Sequence, residues 1–410
     1  MVKREIGNAT LYLADCRDVF PLLEPVDSIV TDPPYGLSFL GKAWDYEVPG
    51  VDIWQGALSA AKPGAHLLAF AGTRTQHRMA VNIEDAGWDI RELCVWMHGS
   101  GHPKALNIGN AVDRLVGAEP TVVGKSHSGK QDGSFKTHLG RFRGGELDVC
   151  VPSSEEGKKW QDWHTALKPA IEPITMARKP LSEKTVAANI LKHGTGGLNI
   201  GACRVGVETG GWKGTPSSGM FSFDGDNSGK PRPVTGRWPA NLMHDGSPEV
   251  VALFPRTGPS NGKVRNNKGG QSLARSGRDA PTTSYGHEDL GGSAARYFYC
   301  AKASRAERNE GLQGLPLHHA SHDGRESQRH SNVQQNHHPT VKPQALMRHL
   351  VRLVTQPGGV VLDPFMGSGS TGVAAMTERM RFVGIEMNPD YFEIACRRIE
   401  HAQRQPQLGL

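Results

Sequence analysis

The stretch Val26-Asp27-Ser28-Ile29-Val30-Thr31-Asp32-Pro33-Pro34-Tyr35 decides the fold of the N-terminal part of the chain. Its first six residues have the length and the β-branched content of a buried strand. Asp32 to Tyr35 come where this strand ends, so a carboxylate, a rigid proline turn and an aromatic ring lie together. Ligands of open α/β sheets bind at the carboxyl ends of the strands, which makes these four residues candidates for a functional site.

Strand and helix patterns alternate on both sides of this stretch. The rhythm occurs in the first hundred residues and again after residue 344, and it predicts an α/β fold with a parallel sheet. The predicted strands cover residues 10–13, 26–31, 66–71, 93–97, 172–177, 360–362 and 382–385. The predicted helices cover residues 51–61, 78–86, the apolar stripe from 346 to 354, a segment from about 371, and residues 389–399.

The chain between these two regular ends is rich in glycine, serine and lysine. Glycine (50 residues) and proline (27 residues) are abundant and hydrophobic residues make up only 37%, so we expect part of the chain to be loop-rich. Two organisations satisfy this pattern. Either there are two separate α/β domains, or one sheet is assembled from both chain ends around an insertion.

Composition and charge narrow the class of protein. The 410 residues carry a formal charge of +6, which is compatible with a polyanionic partner and equally with an ordinary basic protein. The six cysteines include no Cys-x-x-Cys pair and the histidines between 318 and 338 have no ordered spacing, so we expect no metal site. The sequence has neither a signal-peptide pattern nor a membrane-spanning apolar stretch, which favours a cytoplasmic protein.

A glycine-rich turn follows the predicted strand 360–362 and reads Asp363-Pro364-Phe365-Met366-Gly367-Ser368-Gly369-Ser370-Thr371-Gly372. A strand, such a turn and a helix N-terminus form a crevice that a ligand can approach closely. Glu386 ends the next strand nineteen residues after Gly367, and the two features together also fit the dinucleotide-binding fingerprint. A nicotinamide dehydrogenase is therefore a rival, although Asp363 would repel a pyrophosphate and Asp32 to Tyr35 would have no role.

Three motifs in the chain resemble those of the S-adenosylmethionine-dependent DNA methyltransferases that methylate amino groups. They are Asp32-Pro33-Pro34-Tyr35, His338-Pro339-Thr340-Val341-Lys342-Pro343, and the run from Leu362 to Thr371. Their order, with the proline motif first and the glycine loop last, is similar to that of the permuted β group of this family. Residues 14–20 and 299–312 fit the same pattern, whereas residues 206–295 are not placed by it.

The resemblance implies a Rossmann-like, seven-stranded methyltransferase sheet assembled from both chain ends, with an inserted, irregular target-recognition region. It thereby favours the second of the two organisations. The implied domains are residues 1–120 as the catalytic half, 121–159 as a basic insertion, 160–205 as a return to the catalytic core, 206–295 as a partly disordered target-recognition region, and 296–410 as the cofactor-binding half.

The same resemblance places catalysis at Asp32, Pro33, Pro34 and Tyr35. An exocyclic amine of a nucleobase is a poor nucleophile because its lone pair is delocalised into the ring. The Asp32 carboxylate and the Pro33 carbonyl would accept its two N–H hydrogens and direct the lone pair toward the methyl group, and the prolines would keep these acceptors fixed. Tyr35 would stack on a base extruded from the duplex.

The second and third motifs are expected to bind the methyl donor, S-adenosylmethionine. Asp15 and Lys342 also have simpler explanations, as the cap of a strand end and as a solvated surface lysine. The implied donor contacts are Gly367, Ser368 and Gly369 with the methionine part, Glu386 with the ribose hydroxyls, Asp363 and Phe365 along the pocket, Thr340 and Lys342 with the carboxylate end, and Asp15 with the adenine amino group.

The implied function is site-specific methylation of the N6 amine of adenine in double-stranded DNA, as in the restriction–modification enzymes of bacteria and phages. N4-methylation of cytosine is the nearest alternative, and adenine is favoured because a serine in place of Asp32 more often marks the cytosine enzymes. A catalytically silent DNA-binding protein of the same fold is a further alternative, whereas RNA and protein-glutamine methyltransferases usually carry Asn-Pro-Pro. Basic residues between 125 and 143 and between 263 and 278 are candidates for phosphate contacts, and a homodimer is compatible with the resemblance.

Overall fold

The computed structural model describes two compact units. One comprises Met1–Met97 with Glu172–Leu410, and the other comprises His98–Ile171. Most of the predicted basic residues and most of the predicted target-recognition region lie outside the described residues. The described residues are 1–37, 45–99, 101, 105–127, 146–206, 236–258, 260–261, 265–267, 282–284, 288–289, 292–301, 306–316, 318–319, 333–338 and 340–405.

The larger unit is built on one sheet, which contains ten strands among the described residues. The strands are β1 (Val2–Ile6), β2 (Ala9–Leu13), β3 (Val26–Thr31), β4 (Ala61–Phe70), β5 (Asp89–Met97), β6 (Ile171–Arg178), β7 (Leu242–His244), β8 (Tyr299–Cys300), β9 (Val360–Asp363) and β10 (Arg381–Glu386). Their order across the sheet is β1-β2-β10-β9-β3-β4-β6-β5-β7-β8.

This topology confirms an α/β sheet assembled from both chain ends, because β9 and β10 lie between β2 and β3. The adjacent strands β2, β10, β9, β3 and β4 are parallel, whereas β6 runs antiparallel to β4. Seven neighbours, from β2 across to β5, make up the predicted Rossmann-like core, and β1, β7 and β8 extend it at its edges. Strand β1 was not predicted because its sequence, VKREI, is mostly polar and its side chains are mostly exposed.

Helices cover both faces of this sheet. Along β3 and β4, Val30 and Leu68 pack in one buried cluster with residues of the C-terminal helices, while Ile29 and Leu67 pack in a second cluster with residues of the N-terminal helices. Consecutive strand residues point to opposite faces, so a strand covered on both faces reads as one apolar run.

No helix among the described residues is long and apolar enough to cross a membrane. The helices are α1 (Cys16–Val19), α2 (Val51–Ala60), α3 (Gln76–Asp85), α4 (Ile108–Leu115), α5 (Glu155–Lys158), α6 (Val186–His193), α7 (Pro248–Ala252), α8 (Gln344–Val354), α9 (Ser370–Thr377) and α10 (Pro389–Arg404).

A buried carboxylate ties the two chain ends together where β3 and β9 pair. Asp363, the last residue of β9, accepts hydrogen bonds from the Thr31 hydroxyl at the end of β3 and from the Thr371 hydroxyl in α9, both at 2.6 Å. Its side chain is 2% exposed. Because both carboxylate oxygens have hydroxyl donors from different elements, Asp363 fixes the ends of β3 and β9 relative to α9.

The smaller unit, His98–Ile171, contains α4, α5 and an antiparallel hairpin of Thr121–His127 with Glu146–Val151. Buried Asp113 of α4 accepts a hydrogen bond from the backbone N–H of Ser153 at 2.6 Å and from the Ser154 hydroxyl at 2.5 Å. The two ends of the unit meet, because the His98 N–H donates to the Ala170 carbonyl at 2.9 Å.

Asp363 gives the stability of the fold a predictable dependence on pH. Burial raises the pKa of its carboxyl from 3.8 to about 6, despite the hydroxyl donors that favour the charged form. The folded chain therefore binds this proton more tightly than the unfolded chain, and its contribution to stability falls as pH rises from about 4 through 6. Asp363→Asn removes this contribution, so we expect its effect on the free energy of unfolding to be more favourable at pH 8 than at pH 4.5, by on the order of 2 kcal/mol.

Urea unfolding of both proteins at the two pH values measures this difference. An effect of Asp363→Asn that is equal at pH 4.5 and pH 8 would show that the carboxylate titrates at its ordinary pKa.

Candidate active site

The predicted motifs meet at one edge of the sheet, because the strands before them are parallel neighbours. Asp32 follows β3, the glycine loop follows β9, and Glu386 ends β10. Asp15 follows β2 at the same edge, where the N–H of Ala14 donates to the Glu386 carbonyl at 3.0 Å. Residues more than three hundred positions apart in sequence are therefore neighbours at this edge.

Asp32, Tyr35, Glu172 and Lys342 form one hydrogen-bonded group, which we call the acid–lysine cluster. The Lys342 ammonium donates to Asp32 Oδ2 at 2.6 Å and lies 3.2 Å from Glu172 Oε2. The Tyr35 hydroxyl donates to Asp32 Oδ1 at 2.6 Å and lies 3.2 Å from the same Glu172 oxygen. Both oxygens of Asp32 therefore have donors from this protein.

Burial and charge set the protonation of this cluster. Burial lowers the pKa of Lys342, but the neighbouring charges of Asp32 and Glu172 outweigh it, so the pKa lies above its usual value. Burial and the same two carboxylates hold the pKa of Tyr35 well above its usual value. The lysine therefore stays charged and the phenol stays protonated near neutral pH, and both remain hydrogen-bond donors.

Asp45 holds the turn that carries Asp32 and Tyr35. Its Oδ1 accepts from the backbone N–H groups of Tyr35 at 2.6 Å and Gly36 at 3.0 Å, and its Oδ2 accepts from the N–H of Leu37 at 3.2 Å. On the other side of the turn, the Thr75 hydroxyl donates to the Tyr35 carbonyl at 2.6 Å. The backbone that follows the two prolines is thus held by a buried carboxylate on one side and by a hydroxyl on the other.

The glycine loop has a backbone conformation that only glycine adopts without strain. Gly367 and Gly369 have φ values of 52° and 79°, in the left-handed region. A Cβ on Gly367 would lie 2.8 Å from the ring of His338, and one on Gly369 would lie 3.0 Å from the Cβ of Ala395. Both positions therefore leave room for a hydrogen and for little else.

Two ionisable side chains, Glu386 and Arg398, are hydrogen-bonded to this loop. Glu386 Oε2 accepts from the Gly367 N–H at 2.8 Å, and burial raises the pKa of this carboxyl although backbone N–H groups oppose the shift. The buried guanidinium of Arg398 donates to the Ser368 carbonyl at 2.6 Å and to the Ser368 hydroxyl at 3.1 Å. Burial lowers the pKa of Arg398 to about 10, which still leaves it charged at neutral pH.

His338 connects the second motif to the glycine loop. Its ring packs edge-on against Tyr391 at 4.5 Å between centroids, and its Nδ1 lies 2.9 Å from the Thr340 carbonyl. Burial lowers the pKa of His338 to about 4, so the ring is neutral and donates through Nδ1. Thr340 is therefore held near Gly367 through this ring.

The remaining predicted residues occupy the same edge with contacts that the sequence did not specify. Asp15 caps α1, accepting from the Arg17 N–H at 2.9 Å, and pairs with the Arg17 guanidinium at 2.6 Å. Phe365 packs near Trp54, with 6.3 Å between the ring centroids. The Lys342 side chain is only 7% exposed and is bonded to Asp32, so it is not a solvated surface lysine.

Sequence reasoning missed four residues of the site: Glu172, Asp45, His338 and Arg398. Glu172 is the first residue of a predicted strand. The only hint of a functional role in the sequence was that a carboxylate followed by proline begins a buried strand. His338 is the first residue of the second motif, but the resemblance assigned no function to its side chain. Asp45 reaches back eight to ten residues to the turn and Arg398 reaches back thirty residues to Ser368, and no motif quoted from the sequence marks either contact. Among the described residues, no group of three or more His, Cys, Asp or Glu side chains could hold a metal ion.

We expect Asp45→Ala to loosen the proline turn, because three backbone N–H groups would lose a buried acceptor. The free energy of unfolding should fall by on the order of 2 kcal/mol, as measured by urea denaturation. Asp52→Ala, at an exposed aspartate of α2, is the matched control and should change stability by less than about 0.5 kcal/mol. Equal effects of the two substitutions would contradict the role given to Asp45.

Comparison with known proteins relates this site to a family. Residues 227–397, which include the second motif and the glycine loop, match the family model described as DNA methylase. The DNA adenine methyltransferase YhdJ of Escherichia coli is 43% identical over 65 residues, covering 16% of this chain and 22% of that protein. The type II methyltransferase M.Cfr9I of Citrobacter freundii is 31% identical over 131 residues, covering 32% of this chain and 41% of that protein.

Among solved structures, the cytosine-N4-specific PvuII DNA methyltransferase aligns with a TM-score of 0.43 and 14% identity, covering 96% of this chain and 86% of that one. The chain spans between 22% and 41% of the length of the first curated relatives that it matches. Over residues 227–397, which hold the second motif and the glycine loop, this chain is similar to the DNA methylase family.

Proposed function

We propose that this protein transfers a methyl group from S-adenosylmethionine to the exocyclic N6 amine of adenine in double-stranded DNA. The observation that carries the proposal is the adjacency of two sites. Asp32 lies at the end of β3, and the glycine loop follows the directly neighbouring strand β9. An amine held at the first site faces a donor held at the second, as transfer requires.

The residues of the glycine loop fit a methyl donor. Gly367 and Gly369 leave the main chain of the loop without side chains, and their left-handed backbone is held in place by close packing on His338 and Ala395. Phe365 offers an apolar wall and Glu386 a carboxylate at the same edge. S-adenosylmethionine would supply there an electrophilic methyl group on a positively charged sulfur. Asp15, Thr340, Lys342 and Asp363 remain further candidates for holding it.

The proline motif is suited to activating an amine. The Asp32 carboxylate and the Pro33 carbonyl accept the two N–H hydrogens, so the nitrogen lone pair is drawn out of conjugation and is directed toward the methyl group. The nitrogen would become positively charged as it gains the methyl group and would then release one proton to water, and the Asp32 carboxylate would stabilise this positive charge while it develops. The fixed turn under Asp45 keeps these acceptors in place, so no reorganisation is needed at the moment of reaction.

Adenine is the proposed target because the motif begins with aspartate at position 32. The relative YhdJ is named a DNA adenine methyltransferase, which supports the same assignment. The second candidate is N4-methylation of cytosine. Incubation with labelled donor and duplex DNA, followed by digestion to nucleosides, separates the two: label in N6-methyladenine supports the proposal, and label in N4-methylcytosine refutes it.

We expect Asp32→Ala to abolish methyl transfer, with a loss of at least about 100-fold in kcat, because the amine loses its charged acceptor. Donor affinity is measured separately by calorimetry, because Asp32 is bonded to Lys342, itself a candidate for holding the donor. Asp52→Ala serves again as the exposed control. An Asp32→Ala protein with wild-type turnover would remove Asp32 from the mechanism.

Gly369→Ala should weaken donor binding by about tenfold, which corresponds to about 1.4 kcal/mol. The substitution places a methyl group at a φ of 79° and 3.0 Å from the Cβ of Ala395, so the loop has to shift. Isothermal titration calorimetry with S-adenosylmethionine measures the change. Gly117→Ala is the matched control, since its φ is 75° but an added Cβ would meet no atom within 4 Å. Equal donor affinities in the two variants would show that the loop does not hold the donor.

A further inference from the structure

The acid–lysine cluster contains a second carboxylate, Glu172, that the proposed transfer does not use. Asp32 has both of its oxygens engaged, one by the Tyr35 hydroxyl and one by the Lys342 ammonium, each at 2.6 Å. An amine that docks on Asp32 requires one of these oxygens. The Lys342 ammonium thus occupies the acceptor in the free protein, where its N–H groups stand in for those of the substrate.

Glu172 offers a second place for the same ammonium. Its Oε2 is 3.2 Å from Lys342 Nζ and 3.2 Å from the Tyr35 hydroxyl, so both donors on Asp32 already lie beside it. Glu172 is on β6, at the end adjacent to the carboxyl end of β4. A shift of less than one ångström brings the ammonium from its present distance to full hydrogen-bond contact with Glu172.

Two aromatic rings allow that shift without exposing the charge. Lys342 Nζ lies 4.9 Å from the centroid of the Phe70 ring and 5.5 Å from that of the Tyr35 ring. A cation is attracted to the faces of such rings in either position. The lysine therefore stays within one aromatic site while its carboxylate partner changes.

We propose that Glu172 is a positioning residue that takes the Lys342 ammonium from Asp32 when the target amine docks. The inference rests on the proposed function and adds a specific exchange to it. The exchange moves no proton and breaks no covalent bond: one ammonium leaves one carboxylate for another, and the neutral amine takes the acceptor that is released.

The charges of the cluster favour this exchange. Its two carboxylates and one ammonium sum to a formal charge of −1, and a docked neutral amine leaves this sum unchanged. As the amine nitrogen gains the methyl group it becomes positive, and the group as a whole becomes neutral. An ammonium drawn toward Glu172 lies farther from the developing positive charge than one that remains against Asp32 Oδ2, so the repulsion between the two charges is smaller.

A double-mutant cycle on kcat for methyl transfer to duplex DNA tests the proposal. Glu172→Gln keeps an oxygen acceptor but loses the charge, so the lysine stays on Asp32 and kcat should fall by about tenfold, with the donor KM unchanged. In the Lys342→Met background there is no lysine to relocate, so adding Glu172→Gln should change kcat by less than about twofold. Glu172→Asp keeps the charge and should retain more activity than Glu172→Gln.

Other outcomes would overturn the inference. If Glu172→Gln lowers kcat by the same factor in the unmodified protein and in the Lys342→Met variant, the role of Glu172 is independent of Lys342. If Glu172→Gln does not lower kcat in the unmodified protein, Glu172 has no role in the transfer. Lys342→Met that abolishes turnover at saturating donor concentration would make the lysine part of the transfer instead of a competitor for Asp32.

Failure of the proposed function gives a different result, because the unmodified protein would then methylate no DNA at all. Glu183→Gln is the matched control, since Glu183 also pairs with a lysine, Lys192 at 2.5 Å, but lies outside the cluster. It should leave kcat unchanged.

Discussion

The pairing of β3 with β9 is the constraint on which the rest of the structure depends. It joins residues from the two ends of the chain in one sheet, with Val361 opposite Ser28 and Leu362 opposite Ile29. The Asp363 carboxylate completes the pairing by accepting hydrogen bonds from the hydroxyl groups of Thr31 and Thr371. Since both proposed binding sites begin at the last residues of these strands, their separation is fixed by backbone hydrogen bonds and one buried carboxylate, and not by flexible loops.

Buried and half-buried charged groups lie on both sides of this pairing, and each side has its own set of partners. On the β3 side, two carboxylates share one lysine and one phenol. On the β9 side, the buried Arg398 bonds to carbonyl and hydroxyl oxygens of the glycine loop. A buried ionic group stabilises a fold only when its hydrogen bonds are complete, so each group restricts its loop to one conformation.

The sequence was sufficient for those parts of the fold that depend on local pattern. The strand Val26–Thr31 and the helix Val51–Ala60 were predicted at or within one residue of their bounds, because apolar periodicity and a following Gly or Pro mark them. The polar strand β1 and the antiparallel direction of β6 were not predictable, since the first lacks an apolar pattern and the second depends on pairing with β4. The placement of Asp32, Gly367 and Glu386 at one edge followed from the motifs, whereas the bonds of Lys342 to Asp32 and Glu172 depend on long-range packing that no spacing encodes.

The backbone hydrogen bond between His98 and Ala170 has a consequence for how such a chain can diversify. The first residue of the smaller unit, His98, is bonded to its next-to-last residue, so the chain enters and leaves this unit at nearly the same point. The larger unit therefore needs to bridge only a short distance between the strands on either side of the insertion, whatever the length of the inserted chain. The host strands on either side, β5 and β6, are neighbours in the sheet with or without it. We expect units of other lengths and surfaces to be accepted at that point at little entropic cost, so the same sheet could carry different surfaces without changes to its core.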